Sequence, residues 1–226
     1  MNFKPILVLL VIVCLILQLR NCHYGPENQD VAPKYKNAHL TAVSAQNLMK
    51  TKKYEEALKY YEAAKNEMEH PSVGADKGAD IYINYGFVMN DIGVIHLGWA
   101  LYGKEMNTEK EGINPKDVNQ AELLEARKAL EASADFYHRW FANNPKDYER
   151  YSKALSETYA NLGTTYKYEE VQDNTEKAKQ AFIEALKLNP KNGNAERGLK
   201  LLDVDPKPYI ELGEKEVKDH KRFNLF

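Results

Sequence analysis

Apolar residues recur every three or four positions through most of the chain, in segments separated by proline, glycine and asparagine. This spacing places apolar side chains on one face of an α-helix, whereas no segment shows the two-residue alternation of a β-strand. The breaks between segments are mostly short, which favours antiparallel packing of neighbouring helices. The pattern predicts helices at about residues 37–51, 54–70, 76–103, 118–143, 147–169, 174–189 and 192–204. The predicted fold class is all-α.

One C-terminal helix carries small, large and small side chains on one face. Ala178, Phe182 and Ala185 follow one another at i, i+4 and i+7, and Pro190 ends the segment. Small residues let helix backbones approach closely, and the ring fills the space between them. In the preceding helix Gly163 costs about 1 kcal/mol relative to alanine, so we attribute its presence to close packing. Its neighbours on the same face are Tyr159, Leu162 and Tyr166.

These two helices together resemble a tetratricopeptide repeat (TPR), in which an aromatic–Leu–Gly–aromatic helix precedes an Ala–aromatic–Ala–Pro helix. An earlier copy in the same register has Ala45 in its first helix. Its second helix has Ala57, Tyr61 and Ala64 at the small, aromatic and small positions. A degenerate middle copy keeps Tyr137. The resemblance implies a right-handed superhelix of antiparallel helical hairpins, with about three repeats and a capping helix.

The predicted helices divide the chain into an N-terminal segment, a tether, a helical domain and a tail. The helical domain covers residues 38–205, with repeats at about 38–71, 76–145 and 156–190, an inserted loop at 104–118 and a cap at 192–204. Residues 23–37 are polar, contain two prolines and are predicted to be a tether. Residues 206–226 are predicted to be a charged C-terminal tail.

The first 22 residues are predicted to direct the chain to a membrane. One lysine precedes the apolar run 6–17, which has the dimensions of a secretory signal. The segment resembles a bacterial lipoprotein signal, with Leu19 and Cys22 at the lipobox positions, although Arg20 departs from that pattern. A soluble secreted form is a third, lesser alternative. The resemblance implies lipid attachment at Cys22, and the main alternative is an uncleaved membrane anchor. Either predicts a membrane-associated protein of the cell envelope, with the repeats periplasmic or otherwise extracytoplasmic.

Charge and cysteine content narrow the function classes. The formal net charge is −2, so the chain lacks the basic excess with which proteins neutralise nucleic-acid phosphates. Cys14 and Cys22 are the only cysteines, which excludes disulfides and cysteine zinc sites from the helical domain. No phosphate-binding loop, serine-hydrolase elbow or zinc-protease motif occurs. The sequence therefore predicts a protein that is not an enzyme and carries no cofactor.

Two further features are candidates for a self-association surface and for a metal site. The apolar helix 80–103 contains polar residues that are costly in a bilayer, and it is predicted to be a packed central helix whose apolar excess offers a surface for self-association. Glu131, Asp135 and His138 lie at i, i+4 and i+7, a spacing that suits a metal. In the repeat register these three residues fall on the solvent side. We interpret them as a charged outer face and predict no metal site.

The remaining candidate site follows from the TPR resemblance. In that family the first helix of each repeat lines a groove that holds an extended peptide or a partner's helix. The matching positions are His39, Gln46, Met49 and Lys50 in the first repeat and Glu157, Thr164, Lys167 and Tyr168 in the last. The carboxylate clamp of some members needs Lys and Asn where this chain has Ala42 and Gln46, so that specificity is not expected.

The predicted function is that of a membrane-tethered TPR scaffold or adaptor, which mediates protein–protein interaction at the cell envelope. One alternative is a structural subunit of an envelope complex that self-associates through helix 80–103. The other is a metal-binding or catalytic helical protein. The expected partners are a protein or peptide and, through the N-terminus, a membrane.

Overall fold

The computed structural model describes residues 33–69, 79–106, 113–171 and 174–223. Over these residues the chain is all-helical and contains no β-strand, which confirms the predicted fold class. The helices are α1 (Pro33–Lys50), α2 (Tyr54–Glu69), α3 (Ala79–Tyr102), α4 (Gln120–Asn143), α5 (Tyr148–Tyr168), α6 (Asn174–Leu188), α7 (Gly193–Lys200) and α8 (Lys207–Phe223). Most of these bounds lie within about two residues of the predicted ones, because the proline, glycine and asparagine breaks mark real helix ends.

Asparagine and proline define the helix starts. The side chains of Asn119 and Asn192 accept hydrogen bonds from the backbone N–H groups two and three residues ahead, and thereby cap α4 and α7. Pro33 is the first residue of α1, a position where the missing N–H costs nothing. The last residues of the predicted tether 23–37 are therefore helical. Residues 1–32, which include the predicted signal and Cys22, lie outside the described residues.

The helices pack mainly on their near neighbours in the chain. The most extensive contacts join α1 to α2, α3 to α4 and α5 to α6. Alternate helices also touch, since α1 contacts α3, α3 contacts α5 and α5 contacts α7. The buried apolar residues lie within and between these successive pairs. The architecture is therefore a row of helix pairs.

Aromatic rings lie against glycines at two equivalent places in this row. A Cβ atom added to Gly163 would come within 2.6 Å of the Phe182 ring, and one added to Gly198 within 2.3 Å. In the middle pair, a Cβ on Gly86 would come within 2.9 Å of Tyr137. Close packing thus explains Gly163, and Gly86 is its counterpart in the middle helix pair.

The other residues predicted to pack between helices are mostly buried. Their exposure is low at Ala45, Ala57, Tyr61, Ala64, Leu162, Ala178, Phe182 and Ala185, while Tyr159, Tyr166 and Pro190 are half-buried. The two tyrosines combine an apolar contact with a hydrogen bond, since Tyr159 reaches His138 and Tyr166 reaches Glu131.

The middle pair is longer than its neighbours. Both α3 and α4 have 24 residues, whereas the helices of the flanking pairs have between 15 and 21. The added turns pack against each other, and a Cβ atom added to Gly93 of α3 would come within 2.5 Å of the Leu130 side chain of α4. Beyond that contact, Leu97 and Ala100 of α3 meet Leu123 of α4 in a separate apolar cluster. The added turns of α3 and α4 therefore extend this hairpin.

The C-terminal segment is a packed helix, whereas the sequence analysis assigned residues 206–226 to a charged tail. Tyr209 and Ile210 of α8 pack against the apolar cluster of α6 and α7. Gly213 lies so close to α6 that an added Cβ would come within 2.3 Å of the carbonyl oxygen of Leu186. The sequence pattern predicted no helix here, because charged residues hide the apolar stripe formed by Tyr209, Ile210, Gly213 and Val217.

Candidate partner-binding face

Helices α1, α3 and α5 lie side by side and form one surface, which we name the odd-helix face. Hydrogen bonds join these helices in turn. His39 of α1 lies 3.5 Å from the Asn84 amide of α3, measured from Nδ1 to Nδ2. Asn161 of α5 donates from Nδ2 to Oδ1 of Asn90 on α3 over 3.4 Å. Side chains therefore link the three helices along this face, and the even-numbered helices pack behind them.

The predicted contact residues of α1 differ in accessibility. Lys50 is exposed, and His39, Gln46 and Met49 are half-buried. Met49 packs against the apolar core, so little of its side chain is available to a partner. Burial lowers the pKa of His39 below its usual value of 6.5, because desolvation disfavours the imidazolium form. At neutral pH, His39 therefore offers a neutral ring.

The predicted contact residues of α5 divide into two groups. Glu157 and Thr164 lie on the accessible surface, with Glu157 exposed and Thr164 half-buried. Atoms packed around the Glu157 carboxyl raise its pKa, and a hydrogen bond with Asn194 acts in the opposite direction. The Thr164 hydroxyl donates to the carbonyl of Ala160 over 3.1 Å. These two positions remain candidates for contact.

Lys167 and Tyr168 support the fold. Tyr168 packs on the apolar cluster at the end of the extended hairpin, next to Leu123 and Ala126. Its carbonyl oxygen accepts a hydrogen bond from Gln120 over 3.1 Å. Lys167 Nζ lies 5.0 Å from the centroid of the Tyr168 ring, and burial lowers the pKa of this lysine. Substitution of Tyr168 would therefore disturb packing as well as any contact with a partner.

A polar network that sequence reasoning missed lies largely buried behind the odd-helix face and joins the helix pairs to one another. Tyr61 of α2 donates to Asp91 over 2.7 Å, and the Asn90 amide donates to the same carboxylate over 3.3 Å. Thr158 of α5 donates to Asn90 Oδ1 over 3.1 Å and lies 3.3 Å from the Ser133 hydroxyl of α4. Three helix pairs thus share one chain of hydrogen bonds centred on Asn90.

A signal for this network was present in the sequence. Asn84, Asn90 and Asp91 interrupt an otherwise apolar helix, and the sequence analysis above takes them only as evidence that this helix does not span a membrane. Polar side chains inside an apolar helix are retained when they have partners, because an unpaired buried polar group is costly. The same residues therefore predict hydrogen bonds between helices, although the sequence does not name the partners.

Polar groups also gather at the end of the extended hairpin. A cavity of about 620 Å³ there is lined by residues that include Trp99, Tyr102 and Asp117. Glu122 lines the same cavity, and its Oε2 lies 2.6 Å from Nδ1 of His96 on α3. The indole N–H of Trp99 is buried and has no acceptor among the described residues. The His96–Glu122 contact therefore joins α3 to α4 beside the apolar core.

Glu131, Asp135 and His138 are all exposed on α4 and contact different groups. Glu131 accepts a hydrogen bond from Tyr166, Asp135 pairs with Arg139 at 2.9 Å, and His138 contacts the Tyr159 hydroxyl. Over the described part of the chain, no group of three or more His, Cys, Asp or Glu side chains converges in a way that would hold a metal ion.

Within the described residues, no helix combines the length and apolar character that a membrane-spanning segment needs. Comparison of the chain with protein-family models, with curated proteins and with solved structures returned no match. The function must therefore be inferred from the chain's own surfaces.

Proposed function

We propose that this chain is a membrane-tethered, TPR-like adaptor that binds a protein partner on the odd-helix face. The observation that carries the proposal is that α1 contacts α3 and α3 contacts α5. The half-buried polar side chains of these helices therefore lie along one preformed surface. A preformed surface binds without the entropic cost of ordering a loop. The adaptor would present this surface at the cell envelope, held there by its N-terminal segment.

The repeat assignment rests on equivalent packing. The pairs Gly86–Tyr137 and Gly163–Phe182 place an aromatic ring of the second helix against a glycine of the first. Ala45 takes the glycine's place in the first pair, opposite Tyr61 in the repeat register. A solenoid requires about three or more repeats that pack in the same way, because each repeat buries its apolar face only against its neighbours. This supports a right-handed superhelix with α7 and α8 as its C-terminal cap.

The tether proposal rests on the sequence. The apolar run 6–17 and Cys22 favour a lipoprotein, with acylation at Cys22, or an uncleaved anchor. The mass of the N-terminal peptide from membrane-extracted protein distinguishes the two. A peptide that begins at acylated Cys22 supports the lipoprotein, and one that retains Met1 supports the anchor. An unmodified peptide that begins after Cys22 would contradict both.

A photo-crosslinking experiment tests the binding face. A photoreactive residue at Gln46 or Thr164 lies on the odd-helix face, and the matched controls Glu62 and Gln180 are exposed on α2 and α6. We expect the two face positions to crosslink the same protein in cells, and the controls not to do so. The purified partner should then lose affinity for Thr164→Arg but not for Gln180→Arg, with both variants equally stable. Equal binding by both variants would contradict the proposal.

The self-association alternative needs an apolar surface on α3. Val88, Ile92 and Ile95 are at most 6% exposed, and Phe87, Val94 and Leu101 are half-buried, so none of these apolar side chains of α3 is fully exposed. The large apolar side chains that are exposed among the described residues lie elsewhere: Leu40, Tyr60, Leu124, Val171, Leu201 and Leu212. The apolar excess of α3 is thus used within the chain. The mass of the detergent-solubilised protein separates the two ideas, because the adaptor is expected to be monomeric.

A further inference from the structure

Charge is unevenly distributed along the chain. From Val31 to Tyr54 there are five lysines and no acidic residue, although the whole chain has 31 basic and 33 acidic residues. Helix α1 and the turn after it are therefore basic, and the remainder of the chain is net acidic. The acidic residues resume at once in α2, whose first turn carries Glu55 and Glu56.

The outer side of α1 is accessible. Ala38, Ala42 and Ala45 are buried against the neighbouring helices, whereas Leu40 on the opposite side is 51% exposed. The exposed residues recur at helical spacing along that side: Asn37, Leu40, Ser44, Asn47 and Lys50. Lys52 and Lys53 are exposed in the following turn. Lys53 pairs with Glu56 at 3.5 Å, but both side chains are more than half exposed, so the pair contributes little.

The outer side of α1, which ends in Lys50 and the two lysines of the following turn, belongs to the helix nearest in sequence to the predicted membrane segment. The residues between Leu19 and Pro33 span at most about 45 Å when fully extended, and about 20 Å on average as a flexible chain. We propose that the outer side of α1, with Lys50 and Lys52, docks on the anionic lipid surface of the membrane that holds the N-terminus. Lys50 is thereby a lipid contact instead of the partner contact that the repeat register implied. This proposal rests on the tether proposed above.

The physical reason is local concentration combined with charge. A short tether keeps α1 within reach of the headgroups, so even a weak attraction orders it there. Anionic lipids attract basic residues next to a membrane segment, and an exposed apolar side chain such as Leu40 can enter the interfacial region. Docking through α1 would set the orientation of the whole row of helices relative to the bilayer. Salt should weaken it, because the interaction is screened within about 8–10 Å.

The test uses the full chain reconstituted in vesicles of phosphatidylcholine, alone or mixed with phosphatidylglycerol. An amine-acylating reagent reports the accessibility of each lysine by mass spectrometry. We expect Lys50, Lys52 and Lys53 to react about fivefold more slowly on the anionic vesicles, the factor equivalent to one lysine held at such a surface. Lys191 and Lys207, exposed near the other end of the row, should react equally on both.

Variants and flotation make the result decisive. Lys50→Gln with Lys52→Gln should abolish the protection of Lys53 on anionic vesicles, and the matched pair Lys191→Gln with Lys207→Gln should preserve it. If the chain floats with both vesicle types but Lys50 and Lys52 react equally on each, docking is overturned and the tether stands. If it floats with neither, the tether fails and docking fails with it. Protection that includes Lys191 and Lys207 would also overturn docking.

Discussion

Phe182 illustrates how one ring imposes requirements on two other helices. Its side chain lies between Gly163 of α5 and Gly198 of α7, so neither glycine can gain a methyl group without moving the ring. In an exposed helix, glycine to alanine would stabilise by about 1 kcal/mol. Here overpacking costs about 1–3 kcal/mol and acts against that gain. The presence of glycine at both positions is thus explained by packing.

A Cβ only 2.6 Å from the Phe182 ring places the overpacking cost in the upper part of that range, at about 2–3 kcal/mol. After the gain of about 1 kcal/mol in helix propensity, we expect Gly163→Ala to lower the free energy of unfolding by about 1–2 kcal/mol. Urea unfolding followed by circular dichroism measures the change. Gly193→Ala is the matched control, because nothing lies within 4 Å of the Cβ it would add in α7. That variant should be neutral or slightly stabilising. A neutral Gly163→Ala would show that Phe182 has room to move.

Tyrosines with raised pKa values make stability sensitive to alkaline pH. Burial, followed by the 2.6 Å hydrogen bond to Glu69, raises the pKa of Tyr85 above its usual value of 10.0. Burial and the bond to Glu131 do the same for Tyr166. A folded-state pKa above the unfolded one gives a contribution that is complete below about pH 10 and is lost as the pH rises further.

We expect the free energy of unfolding to fall between about pH 10 and pH 11.5, where unfolded tyrosines lose their protons and the folded ones retain them. The variants Tyr85→Phe and Tyr166→Phe should each reduce that slope. Chemical denaturation at several pH values gives the slope, and Tyr60→Phe, at an exposed position on α2, should leave it unchanged. An equal slope in all variants would contradict the assignment.

At the scale of elements, the sequence predicted most helices and missed one. Caps and breaks such as Asn119, Pro145 and Asn192 are local signals, so the helix bounds follow from neighbouring residues alone. The stripe of α8 is interrupted by Gly213, which counts as polar in a sequence pattern but permits the closest contact with α6. That contact depends on the position of another helix. Local patterns do not contain this information.

Helix α8 should contribute measurably to stability. Ile210 is half-buried against the cluster of α6 and α7, and we expect Ile210→Ala to cost about 1–2 kcal/mol, below the range for a fully buried site. Leu212→Ala is the control, because Leu212 is 39% exposed; its effect should stay within about 0.5 kcal/mol. Thermal unfolding compares the two. Equal effects would mean that α8 does not pack as described.

The candidate site was predicted only in part, for the same reason. The repeat register identifies positions on the accessible surface of α5, where Glu157 is exposed and Thr164 half-buried, and Gln46 of α1 is likewise half-buried. It does not reveal that the added turns of α3 and α4 form an apolar cluster against which Tyr168 packs. It also gives no clear register for the middle helix pair, so it predicts no hydrogen-bond partners for Asn90 and Asp91. Insertions change what a repeat position touches, and only the packed structure shows the result.

At the scale of the whole molecule, the network around Asn90 makes the helix pairs depend on one another. In a row of repeats, stability is roughly the sum of each unit and its interfaces, so weak interfaces let units unfold separately. Asn90 accepts bonds from Thr158 and Asn161 and donates to Asp91, which in turn binds Tyr61. One side chain therefore joins the first, middle and last pairs.

Removing this side chain should cost both stability and cooperativity. We expect Asn90→Ala to lower the free energy of unfolding by about 1–3 kcal/mol, because its partners lose hydrogen bonds inside a packed interface. Looser coupling should also lower the urea m-value, since the pairs then unfold in separate steps. Asn143→Ala is the control, because Asn143 is exposed and bonds only within its own helix. If Asn90→Ala lowers stability while the m-value stays at that of the parent, the network stabilises the row without coupling its pairs.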